Sequence, residues 1–170
     1  MQLGKIGRNV RFGSSNIFAH PQNIEIGNNV FLSDGAIIST MKKLKIGNNV
    51  MFGPQVMIMG GDHNVSEVGK PMIEVKHGGV NLPIVIENDV WVGARATILK
   101  GVTIAEGSVV GACAMVTKST LPYSINTGIP ARTVKCRFNA SQLTEHLNVV
   151  KSSYTHEAII QMYQEIGMEL

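Results

Sequence analysis

The chain has 170 residues, of which 44% are hydrophobic and 16% charged, and its formal net charge is +3. This composition is typical of one folded domain with an appendage and excludes a disordered chain. The positive charge is small, and the sequence has no Arg-rich patch of the kind that binds nucleic acid. The N-terminus lacks the apolar stretch of a signal peptide and no run is long enough for a membrane span, so we expect a cytoplasmic protein.

A six-residue repeat runs through most of the chain. Segments 26–39 and 46–59 share a template in which a large apolar residue leads each group of six. Three leading residues form one unit, and successive units are spaced by 20, 20, 40 and 18 residues. The leading residues are Ile6, Phe12, Phe18; Ile26, Leu32, Ile38; Ile46, Phe52, Ile58; Ile86, Val92, Ile98; Ile104, Val110 and Val116.

This period predicts coils built of three short strands with tight turns at the corners. Each leading residue points inward, and the residue four places later must be small or β-branched. Coils pair through their backbones at about 4.8 Å, so five coils stand roughly 24 Å tall. A single coil cannot bury its apolar side, and stability comes from stacking. A sandwich of alternating strands is the alternative, but it gives no reason for one register to persist.

The 40-residue spacing between the third and fourth units predicts a loop insertion over 60–83. Gly60 and Gly61 end the third coil there, and His63 follows them closely. Loops on a rigid scaffold carry function more often than strands do. The insertion is therefore the first place to look for chemistry.

Segment 83–138 contains Asp-Val-Trp-Val-Gly, Leu-Lys-Gly-Val-Thr-Ile, Val-Thr-Lys and Gly-Ile-Pro-Ala-Arg, in that order. This order resembles the CoA-binding end of the sugar and polysaccharide O-acetyltransferases among the hexapeptide-repeat acyltransferases. The resemblance implies an all-β fold, a left-handed parallel β-helix of about five coils, spanning 1–138. It also implies acetyl-CoA as acyl donor and a homotrimer with sites between subunits.

A groove for the pantetheine arm of CoA needs small residues where the arm lies close. Gly93, Ala94, Gly111 and Ala112 follow leading residues by one and two places in successive coils, and they meet this need. The resemblance assigns Ala94 and Ala112 to the pantetheine. It also places Trp91, which should point out of its coil, near the acyl-CoA and the subunit boundary; local packing is the other interpretation.

Basic residues after the repeats suit the phosphates of CoA. The resemblance places Thr117, Lys118, Arg132 and Lys135 beside the nucleotide. With Arg137, the three basic residues of this group form the densest basic cluster in the chain. Taken without the motifs, the same cluster would read as a solvated basic tail.

Acyl transfer to a hydroxyl needs a base, and histidine suits this role at neutral pH. The resemblance places the catalytic histidine after the third coil, where His63 lies, and His77 is the competing residue. Galactoside- and maltose-type relatives carry an Asn one coil earlier, where this chain has Ser33. We therefore expect acceptor contacts from Ser33, Asp34 and Asp62, although Asp34 or Asp62 could instead orient the histidine.

Those relatives also carry a helical segment before the β-helix, and this chain starts almost at its first coil. We therefore expect that acceptor-covering part to be missing. The acceptor, a small molecule or a glycan unit, is not specified by the sequence.

Two other activities, a scaffold role and a cysteine nucleophile fit this sequence less well. A carbonic anhydrase of this fold needs three histidines for zinc, and none occurs between residues 78 and 145, so no metal is expected. A non-catalytic scaffold would leave the loop histidine and the basic tail unexplained, whereas an N-acetyltransferase for a nucleotide-linked amino sugar differs in acceptor only. Cys113 has no histidine near it in sequence, so we do not expect it to be a nucleophile.

Beyond residue 138 the pattern changes to a helical period, which predicts a C-terminal α-helical tail over 139–170. Thr155 could cap its second helix. We expect the tail to cover the open end of the β-helix. Its expected apolar positions are Leu143, Leu147, Val150, Ile159, Met162 and Ile166.

Overall fold

The computed structural model describes residues 2–170 and has short strands followed by two helices. Strands of the first three coils are β1 Lys5–Ile6, β2 Val10–Phe12, β3 Ile17–Ala19, β4 Ile24–Ile26, β5 Val30–Leu32, β6 Ile37–Ser39, β7 Leu44–Ile46, β8 Met51–Phe52 and β9 Met57–Met59. Later strands are β10 Ile84–Ile86, β11 Trp91–Val92, β12 Thr97–Leu99, β13 Thr103–Ile104, β14 Val109–Val110, β15 Met115–Val116, β16 Ser124–Gly128 and β17 Ala131–Cys136. The helices are α1 Ala140–Val150 and α2 His156–Glu165, and short 3-10 turns lie at Pro21–Asn23 and Met72–Glu74.

The strands form three sheets that wrap one core. Sheet one has the order β1-β4-β7-β10-β13, and sheet three has the order β15-β12-β9-β6-β3. Sheet two continues past β14 to β16, which pairs in parallel, and to β17, which pairs with β16 in antiparallel fashion. The predicted β-helix of five coils is confirmed, with β16 opening a sixth layer, and the architecture is consistent with the left-handed form.

The predicted inward positions form the core from the second coil onward. All twelve leading residues from Ile26 to Val116 are buried. Nine of the residues four places after them are small or β-branched and buried as well: Val30, Ala36, Val50, Val56, Val90, Ala96, Val102, Ser108 and Ala114. The first coil differs, because Ile6 is 51% and Phe12 39% exposed. No further coil lies above these two side chains in the part of the chain described, so stacking covers them from one side.

The insertion does not disturb the register of the coils. Leu44 pairs with Ile84 and Ile46 pairs with Ile86, although the 60–83 loop separates the two strands in sequence. The backbone N–H of Gly60 still donates to Ser39 O at 2.7 Å, so the coil continues up to this residue. The loop therefore leaves and re-enters the stack at a single corner.

Asparagines form a ladder along another corner. Asn28 Oδ1 accepts from the backbone N–H of Arg8, Asn48 Oδ1 from that of Asn28, and Asn88 Oδ1 from that of Asn48, each at 2.8 Å. The adjacent Gly27 cannot be replaced easily, because a Cβ there would lie 2.5 Å from the carbonyl oxygen of the next coil. The repeated Ile-Gly-Asn-Asn sequence thus serves coil-to-coil contact.

The two helices pack over the last layer of the β-helix. Asn139 and Gln142 form a reciprocal cap at the start of α1, and Thr155 Oγ1 accepts from Ala158 N–H at 3.3 Å at the start of α2. A separate apolar cluster joins the helices to the sixth layer. Its buried members are Tyr123, Cys136, Leu143, Leu147, Ile159 and Tyr163.

The helical phase of the tail was only partly predicted. Val150 is 45% and Ile166 51% exposed, and Met162 is only half-buried. Tyr163 takes the buried position, because its O–H donates to Pro122 O at 3.1 Å while its ring fills the cluster. In the stretch 2–170, neither helix has the length and apolar character needed to cross a membrane.

We predict that Ile58→Ala lowers the free energy of unfolding by about 2–5 kcal/mol, because it opens a cavity between the third coil and its neighbours. Lys45→Ala, at an exposed outward position of β7 in sheet one, should change it by less than about 0.5 kcal/mol. Urea unfolding followed by circular dichroism measures both. Equal losses for the two variants would contradict the inward–outward assignment.

Candidate active site

His63 lies where the insertion leaves the third coil. Its side chain is exposed, and the only hydrogen bond recorded for it among residues 2–170 is made by its backbone N–H, which donates to Asp62 Oδ1 at 2.9 Å. The imidazole is therefore free to accept a proton from a bound molecule.

Asp62 is engaged with the base of the loop, and no contact to the imidazole is recorded for it. Its carboxylate accepts from the side chain of Lys100 and from the backbone N–H of Val80 at 3.3 Å. The hydrogen bond from Lys100 is the main cause that lowers the pKa of Asp62 below its usual value, so the group is anionic at neutral pH. The arrangement gives Asp62 a structural role at this corner.

The returning arm of the loop brings His77 toward the same place. A Cβ at Gly78 would lie 2.7 Å from the side chain of Asn64, and one at Gly79 would lie 2.8 Å from Asp62 O. The outgoing and returning arms of the loop therefore run side by side. His77 is exposed, as is His63. His77, the competing residue, thus has its neighbour Gly78 packed against the segment that carries His63.

Asp34 bonds to the preceding coil. Asp34 Oδ1 accepts from the backbone N–H of Ser14 at 2.6 Å and from its hydroxyl at 2.8 Å, and these bonds lower the pKa of Asp34. Ser33 is half-buried, and its backbone N–H donates to Phe52 O at 3.1 Å. The Asp34 carboxylate thus already accepts hydrogen bonds from the preceding coil, and Ser33 lies at the same corner of the stack.

Coil stacking explains the glycines expected near CoA. A Cβ on Gly93 would lie 2.6 Å from the backbone nitrogen of Ala112, and one on Gly111 would lie 2.9 Å from Thr127. Gly93 therefore requires glycine in the absence of any ligand, because its Cβ would meet backbone, whereas a Cβ at Gly111 would meet only the end of the exposed Thr127 side chain. Ala94 is half-buried and Ala112 exposed, so these two present surface to a bound molecule.

Lys118 and Arg132 come together in one cleft of about 330 Å³ beside β16 and β17, with Ser119 and Thr133 in its wall. Thr117 and Lys135 are exposed and lie outside this lining. The cleft thus unites two of the three basic residues expected beside the nucleotide.

Arg137 does not join this group, contrary to the sequence-based expectation. Its guanidinium donates to Asp89 Oδ2 at 2.9 Å and to Gly107 O at 2.7 Å, and it lies 4.9 Å from the ring centroid of Phe138. These contacts hold β17 and α1 against the coils, so the charge of Arg137 is already neutralised.

Trp91 points outward from sheet two with 51% exposure. It lies between Met51 and Val109 in the register, and Phe31 precedes Met51 in the same outward row. Phe31 and Met51 are also exposed. Trp91 therefore belongs to an apolar row that crosses several coils.

The chain resembles known acetyltransferases in sequence. The family profile described as bacterial transferase hexapeptide (six repeats) matches residues 83–118. A chloramphenicol acetyltransferase from Agrobacterium fabrum is 49% identical over 55 residues, which are 32% of this chain and 26% of that enzyme. The chain thus spans about a quarter of the length of this curated relative.

Two solved structures match over most of the chain. A maltose O-acetyltransferase from Clostridium difficile 630 is 30% identical with a TM-score of 0.69, and the match covers 79% of this chain and 70% of that one. The acetyl-CoA complex of a hexapeptide-repeat acetyltransferase from Vibrio cholerae O1 biovar eltor is 26% identical with a TM-score of 0.70, covering 81% and 73%. With its repeats, its β-helix and these matches, the chain belongs to the family of bacterial hexapeptide-repeat transferases.

Proposed function

We propose that the protein is an acetyl-CoA-dependent O-acetyltransferase that acts on a hydroxyl of a sugar or polysaccharide precursor. The observation that carries the proposal is an exposed, unpaired His63 imidazole at the edge of a β-helix of this family. The cleft that holds Lys118 and Arg132 supports a phosphate-bearing donor. Arg132 lies on β17 and Lys118 follows β15 closely, whereas His63 lies in the insertion just after β9.

In the proposed reaction His63 acts as general base. It removes the proton of the acceptor hydroxyl while that oxygen attacks the thioester carbonyl of acetyl-CoA. The tetrahedral intermediate collapses with cleavage of the carbon–sulfur bond, and the imidazolium returns the proton to the departing CoA sulfur. The acetyl group moves directly from donor to acceptor, so the chain needs neither a metal nor a covalent intermediate on Cys113.

The donor binds along the small residues and the basic cleft in this proposal. Ala94 and Ala112 offer surface where the pantetheine arm can approach the backbone, and Lys118 and Arg132 offer charge to the phosphates. Lys135, on β17, can add a contact at the edge of the same region. Gly93 acts indirectly, by letting the coils stack closely, and Gly111 keeps the surface beside Ala112 free of a side chain.

A sugar hydroxyl is proposed as the acceptor because the maltose O-acetyltransferase is 30% identical to this chain and its match covers 79% of it. Ser33, in place of the Asn of maltose-type relatives, offers one hydroxyl where an amide offers a carbonyl oxygen and an NH2 group. We therefore expect a different sugar from theirs.

A trimer with sites between subunits suits the outer faces of the β-helix. Sheet two presents the exposed row of Phe31, Met51 and Trp91, while sheet three presents Ile17 and Ile37. Sheet one instead presents an outward row of charged side chains in its first coils. Apolar rows on two faces are the kind of surface that closed cyclic assemblies bury.

We predict that His63→Ala lowers kcat by at least about 10²-fold and leaves CoA affinity unchanged, because the variant loses the base and keeps the donor contacts. Steady-state kinetics and calorimetry measure the two quantities. His77→Ala is the matched comparison and should retain most activity. Near-normal turnover in His63→Ala with a collapse in His77→Ala would transfer the role of base to His77.

We predict that Lys118→Ala and Arg132→Ala each raise the apparent KM for acetyl-CoA by about 10-fold, since each removes a charged contact to phosphate. The KM for the acceptor should not change. Lys45→Ala, an exposed lysine on sheet one, alters net charge equally and should leave both constants unchanged. A change confined to the acceptor KM would contradict the donor assignment.

We predict saturable binding of acetyl-CoA and release of free thiol with an acceptor from a panel of maltose, a galactoside, chloramphenicol and a nucleotide-linked amino sugar. Titration and thiol detection measure these steps. Absence of saturable binding would contradict the enzymatic proposal and favour a scaffold. Turnover only with the amino sugar would replace O-acetylation by N-acetylation.

A further inference from the structure

Lys100 lies at the corner where the insertion leaves and returns. It follows directly after β12, and the last pair in that ladder joins Leu99 to Met59. The next residues in the two coils are Lys100 and Gly60, where the loop begins. Coil stacking therefore delivers this lysine to the loop base.

The ammonium group of Lys100 bonds to both arms of the loop. It donates to the Asp62 carboxylate on the outgoing arm and to Val80 O on the returning arm, the latter at 2.9 Å. Asp62 and Val80 are also joined by the 3.3 Å bond from Val80 N–H, and Asn81 Oδ1 accepts from Asp62 N–H at 3.1 Å. These four residues form the loop clamp.

The loop clamp differs from the polar contacts farther out in the loop. There, Lys70 pairs with Glu67 at 3.2 Å and Lys76 Nζ donates to Ile73 O at 3.0 Å, both within three residues in sequence. Such local contacts order the tip of the loop but do not join it to the coils. Val68 and Ile73 at the tip are 96% and 79% exposed.

His63 is coupled directly to the clamp. It is the next residue after Asp62, and its backbone N–H donates to the same carboxylate that Lys100 holds. Displacement of that carboxylate would remove the hydrogen bond that fixes the His63 backbone. Lys100, 37 positions away in sequence, is thus connected through one carboxylate to the backbone that carries the imidazole.

We propose that Lys100 is a positioning residue for His63: it clamps the two arms of the 60–83 insertion to the fourth coil and so fixes the backbone that carries the base. The positioning part rests on the proposed role of His63, whereas the clamp itself does not. Partly exposed ion pairs contribute little to global stability, so the effect is local order.

Hydrogen–deuterium exchange with Lys100→Met, Asp62→Asn and Lys70→Met tests the clamp in the whole chain without any ligand. Amides of 61–64 and 79–81 should exchange at least about 10-fold faster in the first two variants, because the arms separate more often. Lys70→Met, the matched control, should leave them at the wild-type rate. Wild-type exchange in Lys100→Met would overturn the proposal.

Kinetics test the positioning part. With acetyl-CoA and any acceptor of the panel above that is turned over, Lys100→Met should lower kcat by about 10-fold and change the KM for acetyl-CoA less than 2-fold. Lys100→Arg, which keeps the charge and several donors, should restore most of kcat. Faster loop exchange with unchanged kcat would overturn the positioning role, and absence of turnover in the wild type would count against the proposed function alone.

Gly79→Ala separates the arms by another route. Its Cβ would lie 2.8 Å from Asp62 O, so the returning arm must shift although Lys100 and Asp62 are intact. The same amides should exchange faster in this variant. Should Lys100→Met fail to fold, wild-type exchange in Asp62→Asn would overturn the clamp, because that variant removes the charge that Lys100 holds.

Discussion

Backbone pairing between successive coils is the constraint on which every other feature of this protein depends. Ile46 is buried because Ile26 and Ile86 lie directly before and behind it in the ladder. One coil alone exposes its apolar side, as the first coil still does at Ile6. The six-residue step, the glycines at the corners and the asparagine ladder all serve this contact.

The same constraint decides where function can be placed. A residue within a coil must keep the register, so chemistry is confined to corners, outward positions and insertions. The 60–83 loop interrupts the sequence of the third and fourth coils and leaves their pairing unchanged. A catalytic histidine can thus be attached to a rigid edge, provided that the loop base is fixed, and Lys100 is placed to fix it.

The six-residue period predicted most of the fold, because it specifies which side chains point inward. The break in the period predicted the loop insertion, and the position of Trp91 in its coil predicted that it points outward. Contacts between coils were harder, because Arg137 and Asp89 lie 48 residues apart. The pairing of Lys100 with Asp62 could have been predicted. The third and fourth units are spaced by 40 residues, so Lys100 stacks on Gly60, and Asp62 lies two residues after Gly60. The Asn139–Gln142 cap could also be predicted from the sequence, since Asn followed three residues later by Gln before a helical pattern is a capping signal.

The most direct test is a crystal structure of the protein with acetyl-CoA bound. The account predicts phosphates beside Lys118 and Arg132 and a thioester carbonyl within about 6 Å of a His63 imidazole, the span left for one acceptor oxygen. A donor bound with its thioester far from every His63 in the assembly, or beside His77, would contradict it.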